Sequence, residues 1–129
     1  MPKFSDQLHK GLDPLRKLRV FLAGLQTAIG GDFSVTVQVV LSLLVLGVSL
    51  WLREWLDFML ILIVTGYMLS AELFNTAIET ICDYLQPEYD PRIGAIKDVA
   101  AAAAGLSILV WVCTLSFELW RMWQILQQP

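Results

Sequence analysis

Three long stretches of the chain carry no charge at all: residues 35–52, 58–71 and 99–117. An apolar run of about 18 residues rises ~27 Å as a helix, close to the ~30 Å hydrocarbon core of a bilayer. The pattern predicts three membrane-spanning helices, at 35–52, 57–83 and 99–119. Lipid cannot hydrogen-bond backbone groups, so spanning segments must satisfy their own, and a chain of 129 residues is too short to close a barrel from such runs. The expected fold class is all-α and integral to the membrane.

Residues 1–31 follow a different rule. Leu12, Leu15, Leu18, Phe21, Leu22 and Leu25 recur at three- and four-residue steps beside Lys10, Arg16, Lys17 and Arg19. That is the pattern of an amphipathic helix lying in the interface. Residues 1–19 are polar and interrupted by Pro14, unlike a signal peptide, so the first span is expected to be retained. Gly30 and Gly31 are expected to form the elbow into it. The connection at 53–57 is short, which makes spans one and two antiparallel neighbours. Residues 100–105 offer a smooth small-residue surface to another helix. Trp120, Arg121, Met122 and Trp123 then form an interfacial group at the start of a 120–129 tail.

Composition sharpens this picture. The chain is 57% hydrophobic and 16% charged, with mean hydropathy +0.63. Disorder and a disulfide scaffold are excluded, since charge is low and the only two cysteines, Cys82 and Cys113, fall in apolar segments. A coiled coil is set aside because no apolar heptad persists. A net charge of −3 argues against nucleic acid as a partner. Seven Lys and Arg flank the spans on one side (Lys3, Lys10, Arg16, Lys17, Arg19, Arg92, Lys97) and two on the other (Arg53, Arg121). By the positive-inside rule the N-terminus is expected in the cytoplasm and the C-terminus outside.

The second span breaks its own apolar pattern at Glu72, Asn75, Glu79 and Asp83. With Glu72 at zero and ~100° per residue, the other three fall near roughly −60°, −20° and +20°, on one narrow face. A lone carboxylate inside a bilayer is expensive, and carboxylates sharing a face repel unless a cation or protons join them. Leu73, Phe74, Ala77, Ile78 and Ile81 keep the rest of the segment apolar, so this helix is amphipathic instead of merely leaving the membrane. Oxygen ligands at such a boundary suit Mg²⁺. Residues 84–98, with Pro87 and Pro91, read as a cytoplasmic connection ending in Lys97 and Asp98. Lys97 is either a snorkelling anchor, a neutralising partner for Asp83, or a point charge for a phosphate. Asp98 suits a helix start. No Walker loop, His cluster or Ser/His pair is present, and the single His9 lies in the arm.

The run Glu72-Leu-Phe-Asn75-Thr76-Ala77-Ile-Glu79-Thr-Ile-Cys82-Asp83, then Pro87-Glu88-Tyr89 and Ala95-Ile-Lys97-Asp98-Val-Ala100-Ala, resembles the signature of the prokaryotic diacylglycerol kinase family, which includes undecaprenol kinases. The resemblance implies a homotrimer in the bacterial inner membrane. Its composite active sites would lie between subunits and use Mg²⁺ and ATP to phosphorylate a lipid hydroxyl, with diacylglycerol or undecaprenol as the lipid. It implies Glu72 as the general base and Asn75 at the transfer site. Glu79 would be a metal ligand, Glu79, Asp83, Lys97 and Asp98 would hold the nucleotide, and Glu72 with Ser70 would meet the lipid.

One stretch departs from the family. A Glu usually precedes a Phe-Arg in the surface helix as a second metal ligand, where this chain reads Ala28-Ile-Gly30-Gly31-Asp32-Phe33-Ser34. Asp32 either replaces that Glu or caps the first span. Two other readings compete with the kinase. A small proton or cation conductor needs polar residues at several depths, and the first and third spans offer only Gln38 and Ser/Thr positions. A non-catalytic packing subunit leaves the acidic stripe unexplained.

Overall fold

In a computed structural model, which describes residues 14–31, 33–52, 54–88 and 90–127, the chain forms four successive helices. They are α1 (Pro14–Gly31), α2 (Phe33–Leu52), α3 (Trp55–Leu85) and α4 (Pro91–Leu126), with no strand among the described residues. The last three are long and apolar enough to cross a membrane. At ~1.5 Å per residue α3 and α4 reach about 46 and 54 Å, so both outrun a ~30 Å hydrocarbon core. They pack on each other most extensively, with α2 against α3 and α1 lying beside α2 and α3.

Local chemistry sets the ends. Asp90 accepts a 2.8 Å hydrogen bond from the backbone N–H of Arg92, and Pro91 takes the first helical position, a strong start signal for α4. The helix therefore begins eight residues before the expected 99. Residues 91–98, read from the sequence as connection, are its first two turns. At the other end it continues past the expected 119 to Leu126. α3 ends where Gln86 N–H reaches back to the Cys82 carbonyl at 3.0 Å and Pro87 follows. Gly30 and Gly31 remain helical as the last two residues of α1. Thr36 Oγ1 donates to the Ile29 carbonyl at 2.7 Å and ties α2 back onto α1.

The buried seam follows three- and four-residue steps on each spanning helix. It comprises Val35, Gln38, Ser42, Val45 and Ser49 on α2, and Asp57, Ile61, Thr65, Met68 and Glu72 on α3. On α4 it runs from Ala100 through Ala104, Ser107, Trp111, Leu115 and Glu118 to Met122. An apolar heptad was absent from the sequence because many seam positions are polar or small. Many large aliphatic side chains, such as Leu43, Leu44 and Ile63, point outward instead. Lipid is as apolar as leucine, so helices in it associate through close packing and hydrogen bonds. Midway along the seam the Ser42 hydroxyl accepts from Thr65 Oγ1 at 3.0 Å and from Trp111 Nε1 at 2.8 Å, joining all three helices at one atom.

Candidate functional site

Because α3 is unbroken, Glu72, Asn75, Glu79 and Asp83 are carried on one rigid element. They grade from buried Glu72 through half-buried Asn75 and Glu79 to exposed Asp83. Asn75 Nδ2 donates to Glu79 Oε1 at 3.1 Å, one turn apart. Asn75 Oδ1 is buried and has no hydrogen-bond partner. Buried acceptors are rarely left unsatisfied, and such an atom marks a place where a donor or a cation fits.

The early start of α4 brings Lys97 to this face. Its Nζ lies 2.8 Å from Asp83 Oδ1. Asp98, about 100° further round the helix, is exposed, so the two neighbours in sequence do not share a face. Ser70 is exposed and donates to the Gly66 carbonyl at 2.8 Å. Asp32 and His9 lie outside the described residues. Among the described residues no group of three or more His, Cys, Asp or Glu side chains is gathered for a metal. What one chain offers a hard cation is the Glu79 carboxylate beside the free Asn75 amide oxygen.

Between α3 and α4 the alanine run leaves space. A groove of about 410 Å³ is lined by Tyr67, Ser70, Ala71, Phe74, Asn75 and Ile78 of α3 and by Ala100 and Ala103 of α4. A second, of about 500 Å³, shares Ile78, Ala100 and Ala103 and continues along Ala95, Ile96 and Val99. From the sequence Phe74 and Ile78 are only apolar positions beside the stripe, and Tyr67 is not among them. Their spacing of seven and four residues on one helix face, opposite a run of alanines, was the available signal.

Depth follows from the aromatic belt. Trp51, Trp55, Trp120 and Trp123 are all exposed at one end of the bundle, where indoles favour the interface. Counting about 20 residues along α3 from Trp55, the length that crosses a hydrocarbon core, ends at Asn75. The Asn75–Glu79 pair thus sits at the opposite membrane boundary, with Asp83 and Lys97 in water beyond it and the groove reaching back into lipid.

These features define a multi-pass helical membrane protein with a polar site at one boundary. Residues 19–118 match the model of the prokaryotic diacylglycerol kinase family, and the chain belongs to that family. It is 43% identical over 56 residues to the undecaprenol kinase of Bacillus subtilis (strain 168), covering 43% of each chain. It is 35% identical over 71 residues to the diacylglycerol kinase of Escherichia coli (strain K12), covering 51% of this chain and 58% of that one. The chain thus spans about half the length of the curated relatives it matches. No solved structure matches it.

Proposed function

We propose that the protein is a lipid kinase that moves the γ-phosphate of Mg·ATP to a lipid hydroxyl, with diacylglycerol as acceptor and phosphatidic acid as product. The observation that carries this reading is the Asn75–Glu79 pair, with its free amide oxygen, at the mouth of an apolar groove and at the membrane boundary. Phosphoryl transfer needs a placed acceptor and charge neutralisation, and little covalent chemistry.

Each residue then has a task. Glu72, buried one turn deeper than Asn75, accepts the proton of the lipid hydroxyl. Asn75 orients the reacting groups. Glu79 and the Asn75 amide oxygen hold magnesium, an oxygen donor pair of the kind that ion takes alongside phosphate oxygens and water. The bound ion supplies charge neutralisation for the phosphates. Lys97 and Asp83 meet the nucleotide from the aqueous side, with Asp98 beside them, and Ser70 lines the lipid groove. The family resemblance implies a homotrimer, in which a neighbouring copy completes the site. Asp32 is the candidate in the surface arm. By sequence, seven of the nine basic residues flank the spans on one side, which supports a cytoplasmic N-terminus, an outside C-terminus and placement in the inner membrane, with α1 lying in the interface.

The relatives divide on the acceptor: the diacylglycerol kinase matches the longer stretch and the undecaprenol kinase the more identical one. Offering dioleoylglycerol and undecaprenol to the reconstituted protein in parallel decides between them. Faster labelling of dioleoylglycerol upholds the proposal, and preferential labelling of undecaprenol replaces it with the alternative. The conductor reading is disfavoured by the seam. Fully buried Ile61 lies between Asp57 and Thr65, and fully buried Met68 between Thr65 and Glu72, so the polar positions on α3 are separated by packed hydrocarbon.

A further inference from the structure

At the end of α3 remote from the acidic stripe, Asp57 is fully buried beside Glu118 of α4, which is fully buried as well. Fifteen residues, about 22 Å of helix, separate Asp57 from Glu72. Arg121 Nη1 lies 2.9 Å from Asp57 Oδ1, and its side chain is one-third exposed. This ion pair is close but not aligned as a hydrogen bond, and none of the four oxygens of Asp57 and Glu118 has a hydrogen-bond partner.

The charges do not balance if both acids are ionised. Two carboxylates face one guanidinium, and these are the charged groups that bear on Glu118 among the described residues. α2, the other spanning helix, has no titratable side chain. Ionised carboxyls in contact repel, and an unbalanced charge buried without donors is strongly disfavoured. A carboxylate only accepts hydrogen bonds, whereas a carboxylic acid also donates one. A single proton therefore turns the Asp57–Glu118 contact into a hydrogen bond and makes the trio with Arg121 neutral.

We propose that Asp57 and Glu118 form a one-proton site that latches the first turn of α3 to the last turns of α4. The proton bridges the two carboxyls and Arg121 balances the charge that remains. Without that proton two adjacent buried carboxylates would face one guanidinium, and this end of the bundle would loosen.

The test is infrared spectroscopy of the full-length protein in bilayers at neutral pH, with Glu118→Gln and Asp57→Asn compared against the parent. The parent is expected to show a protonated-carboxyl C=O band that both variants lose. Glu118→Gln keeps the shape and a donor of the protonated acid, so it should fold, with a melting temperature close to the parent's, even if Asp57→Asn does not. Spectra without a carboxyl band that depends on Glu118 would overturn the proposal, as would a large loss of stability in Glu118→Gln, the neutral mimic.

Discussion

Asn75 gives its amide N–H to Glu79 at 3.1 Å while its amide oxygen stays buried and unpaired. An i,i+4 polar pair on a helix adds only about 0.2–0.5 kcal/mol of stability, so the pair's value lies in what it presents. Glu79→Gln is expected to lower phosphate transfer ~100-fold or more, the scale seen when one preorganised electrostatic group is removed. Helicity and thermal unfolding should be unchanged, which circular dichroism in detergent checks.

The Lys97–Asp83 bridge leads to a different expectation. Asp83 is exposed and Lys97 partly so, and exposed ion pairs contribute little to folding. Lys97→Gln should leave the melting temperature in place while raising KM for Mg·ATP more than it lowers kcat. Steady-state kinetics at varied nucleotide separates the two effects.

Ser42 tests the packing account. Its hydroxyl receives both Thr65 and Trp111, and interhelical hydrogen bonds in membranes average about 0.6 kcal/mol each. Ser42→Ala should destabilise the bundle by about 1 kcal/mol, measured by reversible unfolding in mixed micelles, while transfer activity persists.

The start of α4 carries an acid-side signature. The Arg92 guanidinium, followed by the Arg92 backbone N–H, holds the Asp90 carboxyl below the usual carboxylate range. A carboxyl depressed in the folded state stabilises fully above its unfolded value of about 3.9, and that contribution fades as pH falls below it. Asp90→Ala should lower stability at neutral pH and remove this acid-side decline. Thermal scans at neutral pH and on the acid side of the window check both.

The sequence made some of this visible and left the rest to tertiary structure. Long uncharged runs announce α2, α3 and α4, and helical spacing places Glu72, Asn75, Glu79 and Asp83 on one face. The helix of the third span starts before the uncharged run because Asp90-Pro91 is itself a helix-start signature, and its first two turns carry the charges Arg92, Lys97 and Asp98. The seam was hidden because Ser42, Thr65 and Ser107 look incidental until Trp111 comes across from a helix 69 residues away in sequence. Glu118 lies just past the uncharged run at 99–117 and read as part of the third span's end. Only the antiparallel packing of α3 and α4 brings it to Asp57. Asp32 lies outside the described residues, so the second metal ligand stays with the sequence argument.

The most direct test of the central claim is transfer of labelled phosphate from Mg·ATP to lipid by the bilayer-reconstituted protein, run beside Glu72→Gln and Glu79→Gln. Labelled lipid from the parent, lost in both folded variants, is the expected result. Labelling that survives at near-normal rate in either variant would contradict the role given to that residue, and a folded parent that labels neither dioleoylglycerol nor undecaprenol would contradict the kinase reading.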